Sequence, residues 1–377
     1  MGNISIFIIR VWLVIIFITV SSCCKKDKIE VVDLRCCNLV NPEGIDRTLF
    51  SWKIKTDLSN TKQNSWEIEI ANTKEALRNG SADVWKSGRN FSEQQLNIKP
   101  QGLKLKAGKG YWWRVRIWDA NNNETLWSEP AYFSLGPDSS QWKGKWITSE
   151  WKDKFPLPYF RKIFNISKIN AQPVRAVIYL SGLGCSDLFF NGNRVDSTRV
   201  LDPAQTNYEH YAFYSTFDVT SLLKKENNCI GVMLGNGWYN QDLVWGPNFS
   251  YGKPILYAQL DITYSDGSVL TVATDESWEW APGPILSSNI YAGEVYDANK
   301  EIEGWAEAET VFDGWKHACI ASGIIPKRLD PQLVEPIRMQ ETIKPVKLWQ
   351  TPSGSWIFDF GVNVAGIPLL EVEQPQG

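Results

Sequence analysis

Two carboxylates bracket a tyrosine in Gly293-Glu294-Val295-Tyr296-Asp297, and such a pair invites an acid–base reading. A hydrolytic pair must aim both groups at one bond. Side chains alternate along a strand, so Glu294 and Asp297, three apart, point in different directions. A structural hydrogen-bonding role or an interface edge suits them better than catalysis, and contact with a carbohydrate remains open to both. Trp238, Tyr239 and Trp245 form a second group, because flat apolar rings stack on sugar faces. The chain holds 19 tryptophans and 13% aromatics, more than packing a core of this size requires. Metal chemistry is narrowed sharply. His210 and His317 are the only imidazoles, which excludes a histidine-rich site. The seven cysteines, Cys23, Cys24, Cys36, Cys37, Cys185, Cys229 and Cys319, show neither zinc-ribbon nor redox spacing. Any metal would be held by oxygens. A net charge of −3 gives no reason to expect nucleic acid.

The elements that must position these groups are strands. From Leu34 to Pro137, short alternating segments separated by polar turns predict an antiparallel β-sandwich. Phe50-Ser51-Trp52 and Trp66 to Ile70 are two strands. The strongest is Tyr111 to Asp119, which turns Tyr111, Trp113, Val115 and Ile117 inward. Trp112, Arg114, Arg116 and Trp118 line its other face, either as a solvated face laced by cation–π contacts or as a binding surface. With Tyr111 placed for a corner hydrogen bond, this unit looks like a fibronectin type III domain. Gly136-Pro137-Asp138-Ser139-Ser140 is a linker. A second unit, from about residue 141 to 328, again reads as strands: Val174 to Leu180, Leu188 to Phe190 before the turn Asn191-Gly192-Asn193, Cys229 to Leu234, Leu256 to Tyr264 and Val269 to Thr274. Only Val219 to Lys225 has a helical look, with Asp218 or Thr220 as cap. Pro331 to Gly377 opens a third β-unit with strands at Ser355 to Phe360 and Leu369 to Val372, too few to fold alone, so a truncation is expected there. The fold class expected throughout is all-β.

At the other end, one positive residue, Arg10, precedes the apolar run Val11 to Val20, which is the length of a signal-peptide core and too short to span a bilayer well. Val20-Ser21-Ser22-Cys23 resembles the lipobox at which bacterial lipoproteins are cleaved and acylated. The competing reading is an ordinary secretory signal with a chance cysteine. The resemblance implies a signal peptide over residues 1–22, lipid on Cys23 and a polar tether over residues 23–33. The chain would then be exported and held at a membrane of the bacterial envelope by several acyl chains.

The order of short motifs along the chain resembles the bacterial α-L-rhamnosidases of glycoside hydrolase family 78. The segments are Trp142-Lys143-Gly144-Lys145-Trp146-Ile147, Ser181-Gly182-Leu183-Gly184 through Asn191-Gly192, Tyr214 to Thr220, Leu234-Gly235-Asn236-Gly237-Trp238-Tyr239, Tyr291 to Ala298, and Asp359 to Gly366. This resemblance implies a fibronectin-like module, a jelly-roll domain similar to carbohydrate-binding modules, and a further β-domain ahead of a catalytic (α/α)6 barrel. That barrel would invert the anomeric centre with one acid and one base. No Arg-Asp-Glu-Arg type segment occurs here, so no catalytic residue is carried over and the chain alone is expected to be inactive.

The resemblance further implies a rhamnose-containing glycan as partner and, in related modules, a calcium ion held by oxygens. Asp187, Asn191, Asn236, Asn240 and Asp242 are the candidate ligands, with Trp238, Tyr239 and Trp245 as the stacking face. Asn191 and Asn236 equally suit left-handed turns, and Trp238 a core position. Cys185 and Ser186 stand where the family often has aromatics. The implied role is the accessory region of a rhamnosidase; a stand-alone rhamnose-binding or structural surface lipoprotein is the alternative.

Overall fold

A computed structural model describes residues 29–150, 156–167 and 171–371. Cys23 and the signal segment lie outside the described residues. The first unit is a two-sheet sandwich. Glu30–Cys36 pairs antiparallel with Phe50–Lys55. The facing sheet centres on Gln63–Ala71 and Gly110–Asp119, with Ala131–Ser134 on one flank and Trp85–Lys86 and Asn90–Phe91 on the other. Alternation sends Tyr111, Trp113, Val115 and Ile117 into one core with Phe50, Trp52, Ile68 and Phe133, as expected. The Tyr111 hydroxyl accepts the Lys106 N–H at 2.9 Å, which makes the corner.

The opposite face is a ladder of guanidinium and indole planes. Trp127 lies between Arg114 and Arg116 at 4.3 and 4.6 Å, and Trp118 between Arg116 and Arg89 at 5.0 and 4.3 Å. Glu69 pairs Arg114, and Glu67 and Glu124 pair Arg116. These arginines are already neutralised, so the ladder stiffens the sheet.

The second unit packs two antiparallel-rich sheets face to face. The seven-stranded sheet runs in the order Cys319–Ile320, Ile147–Thr148, Ile255–Tyr264, Pro173–Leu183, Ala212–Asp218 and Leu329–Pro331, with Val269–Ala273 also paired to Ile255–Tyr264. The six-stranded sheet runs Asn193–Arg194, Cys185–Phe190, Asn227–Gly235, Pro158–Asn165, Glu279–Pro282 and Lys316–His317. Ile178, Leu180, Leu188, Phe190, Ile230, Val232, Leu260, Trp278 and Trp280 fill the space between. Outside the six-stranded sheet, Trp305 stacks on Tyr159 at 4.1 Å and covers Phe189 and Met233.

Several expectations need correction. The helical look at residues 219–225 shortens to a single 3-10 turn, Thr220–Leu222, because Asp218 accepts the Thr220 N–H and the chain then extends. A helix the pattern did not announce, Lys74–Arg78, is capped by Thr73, whose hydroxyl accepts the Ala76 N–H. From Pro331 to Met339 the chain still lies on the second unit: Arg338 pairs with Asp196, and Met339 N–H donates to Thr198 O. Residues 369–371 form no strand, for no neighbouring strand offers them a ladder; the hairpin is Lys347–Gln350 with Trp356–Asp359.

Candidate carbohydrate-binding surface

The turn 236–242 and the hairpin of Ile285–Asn289 with Gly293–Tyr296 meet at one end of the six-stranded sheet. Three buried amides knit them together. Asn236 donates to Ser288 O at 2.9 Å, Asn289 donates to Gln241, and Gln241 donates to Gly237 O. Asn289 also accepts the N–H groups of Tyr291 and Ala292. This frame fixes the rings above it. Trp238 and Trp245 both meet Tyr291 edge-on, at 5.9 and 5.6 Å, and Trp245 neighbours Phe249. Trp245, Phe249 and Tyr291 are 54%, 59% and 57% exposed, so the rim is aromatic and open to solvent.

Tyr239 is not part of that rim. It lies in the core, stacked with Tyr251 and edge-on to Tyr208, and its hydroxyl donates to Ile324 O at 2.8 Å. In the turn Gly237-Trp238-Tyr239, Trp238 is half-buried against the same cluster that encloses Tyr239, a difference in depth that composition alone did not distinguish. Tyr291 and Phe249 are the ring partners that sequence reasoning missed; the signal was their place in turns rather than in strands.

Glu294 sits on the solvent side of its hairpin opposite Ser288. Crowding by the adjacent sheet, and then the negative charge of Asp187, hold its carboxyl above the ordinary range. Asp187 itself pairs with Arg194 at 2.8 Å. Asp297 is turned elsewhere: it caps the turn Ala298–Lys300 by accepting from Asn299 N and Nδ2, both at 3.1 Å. Asp297 therefore does a structural task, while Glu294 stays on the exposed face of its hairpin.

The five oxygen donors expected for calcium do not form one cage. Cys185 pairs with Gly235 and Phe190 with Ile230, so Asn236 and Asn191 lie at opposite ends of the same strand pair. Asn191 is buried in the left-handed region at φ 50°, with its carbonyl oxygen taken by Cys229 N–H and its amide donating to Leu222 O and Asn228. It locks a turn. Asn236 Oδ1 receives Asn240 Nδ2, and Asn240 Oδ1 receives Asp242 N–H. Among the described residues no three His, Cys, Asp or Glu converge on a metal site.

Comparison with known proteins gives this frame a lineage. Residues 171–341 match the α-L-rhamnosidase N-terminal domain, and residues 31–138 match the Rha78A-like N-terminal immunoglobulin domain. These are N-terminal domains of the α-L-rhamnosidase family. An α-L-rhamnosidase of Formosa agariphila is 34% identical over 369 residues, covering 89% of this chain and 38% of that protein. The α-L-rhamnosidase structure from Dictyoglumus thermophilum shares 35% identity at a TM-score of 0.78, covering 89% of this chain and 38% of its own. A Streptomyces avermitilis α-L-rhamnosidase complexed with L-rhamnose, 20% identical with a TM-score of 0.80 over 88% of this chain and 49% of its own, shares the fold. The chain thus spans about two-fifths of the first relatives it matches. The unit expected to be fibronectin type III-like thus matches an immunoglobulin domain; the two share the two-sheet sandwich that the alternation of Tyr111 to Asp119 predicted.

Proposed function

We propose that this chain is the accessory N-terminal region of an α-L-rhamnosidase that removes terminal α-L-rhamnose from glycans, with hydrolysis performed by the part of the relatives that this chain does not span. The collinear match of both units to rhamnosidase N-terminal domains carries the reading. Two of the carboxylates near the rim have structural tasks among the described residues: Asp297 caps a turn and Asp187 pairs with Arg194. Purified chain should not turn over an aryl α-L-rhamnoside; turnover would overturn the assignment.

Within this role, the rim of Trp238, Trp245 and Tyr291 beside Glu294 is the surface that meets the rhamnose-containing glycan. The exported, Cys23-lipidated form proposed from the lipobox would hold that rim at the cell envelope. Calorimetry with L-rhamnose tests the surface. Binding heat that Trp245→Ala abolishes and EDTA leaves unchanged is expected. Heat lost on adding EDTA would mean that a calcium ion does gather Asp187 and Asn236, against the geometry above.

A further inference from the structure

The immunoglobulin-like unit contains two described cysteines, and they are adjacent. Cys36 ends the strand Glu30–Cys36, and the next two residues turn with positive φ, 53° at Cys37 and 65° at Asn38. Neighbouring side chains on an extended strand point to opposite faces. The left-handed turn cancels that alternation, so Cys36 and Cys37 enter the same core, 1% and 6% exposed. Cys185, Cys229 and Cys319 belong to the second unit and are free. Among the described residues, each of these two free thiols therefore has the other as its neighbouring covalent partner.

We infer that Cys36 and Cys37 form an oxidisable vicinal dithiol that closes to a disulfide at the expense of a small-molecule disulfide such as oxidised glutathione. Cys37 is the attacking group. It is the less buried of the two, and a hydrogen bond from Cys36 lowers its thiol, whereas burial, and then its contact with Cys37, raise Cys36. The Cys37 thiolate attacks one sulfur of the small disulfide and expels a thiolate, giving a mixed disulfide. Cys36, giving up its proton to solvent, then attacks the Cys37 sulfur and expels the second small thiol. Two protein S–H bonds and one S–S bond are exchanged for one protein S–S bond and two small thiols. The protein loses two electrons, which the small disulfide gains. Adjacent α-carbons lie about 3.8 Å apart. Disulfide-linked α-carbons usually lie roughly 4.4–6.8 Å apart, so this ring is strained and readily reduced. The ring would close just before the turn that carries Glu43 and Gly44 onto the second unit.

The test uses the whole chain, refolded from denaturant in a glutathione buffer with the oxidised form in excess, so that burial does not limit access. Free thiols are then alkylated in denaturant and the protein is cut with trypsin. Cleavage after Arg35 and Arg47 isolates residues 36–47, in which Cys36 and Cys37 are the only sulfurs. The peptide should be unalkylated and two hydrogens lighter, and should take two alkyl groups if reductant is added first. Two alkyl groups without reductant, glutathione retained on either cysteine, or a link to another peptide would each overturn the inference. In the Cys37→Ser chain the peptide should carry one alkyl group or one glutathione; an unmodified Cys36 linked elsewhere would also overturn it.

Discussion

Replacing Arg175 by Met should loosen the junction between the two units, and by an amount that depends on pH. Arg175 stands on the second unit's central strand, Pro173–Leu183, and reaches the first unit twice. Its guanidinium donates to Glu43 at 2.9 Å and to Gly108 O at 2.9 Å. The side chains of Arg175 and Glu43 keep only 18% and 22% of their exposure. Removing one partner of a fully buried pair costs roughly 3–5 kcal/mol, so this mostly buried pair should cost about 2–3 kcal/mol at neutral pH. Methionine preserves much of the packing volume, which isolates the charge.

The pH dependence follows from Glu43. Burial raises its carboxyl, and Arg175 and Ser134 pull it back only in part. Without Arg175 the raise grows. A carboxyl raised in the folded state favours folding when protonated, so its penalty fades as pH falls through the folded pKa. The gap between parent and Arg175→Met should then shrink to about 1 kcal/mol, the value of the remaining hydrogen bond to Gly108. Urea unfolding followed by tryptophan fluorescence at neutral and mildly acid pH measures both gaps. A gap that is the same at both, or under about 0.5 kcal/mol at neutral pH, would refute the buried-pair account, since that is the size of an exposed pair.

Two further changes separate structural from ligand roles. Trp127→Ala removes the indole between Arg114 and Arg116, and should lower the stability of the first unit by about 1–3 kcal/mol in a thermal melt, the sum of two cation–π contacts. Asn191→Ala orphans Cys229 N–H in the core and removes the donor to the half-buried Leu222 O; a loss of about 1–3 kcal/mol is expected from the one buried unsatisfied group, with no change in response to added calcium.

The fold was legible wherever a local pattern decides it. Alternation located Tyr111 to Asp119 and its inward rings, and the Asn191-Gly192 turn was readable because both residues adopt positive φ, at 50° and 84°. The surface was legible in part. Trp245 stands exposed beside Tyr291 and Trp238 is half-buried against the core, while Tyr239, their neighbour, lies within it. Its direction is fixed by Tyr208, Tyr251 and Ile324, which lie 12 to 85 residues away in sequence. Asn191 and Asn236 have the same chemistry and opposite fates for the same reason: strand pairing, not composition, sends them to opposite ends of a ladder. The partnership of Glu43 with Arg175, 132 residues apart, left no local trace at all.

That junction bears on what the first unit is for. Linkers rich in Gly, Pro and Ser usually let two domains swing. Here the linker's end is pinned. Trp142 enters a box of Tyr179, Tyr214 and Tyr257 at 5.2 to 5.7 Å, and the N–H groups of Lys143 and Gly144 donate to Gln259 and to the Tyr257 hydroxyl. On the far side Tyr214 donates to Gly44 O at 2.7 Å. Gly44 tolerates no larger residue, since a β-carbon would lie 2.1 Å from Thr216 Oγ1 at φ 70°. Contacts on both sides of the linker oppose a hinge motion, so the first unit acts as a strut.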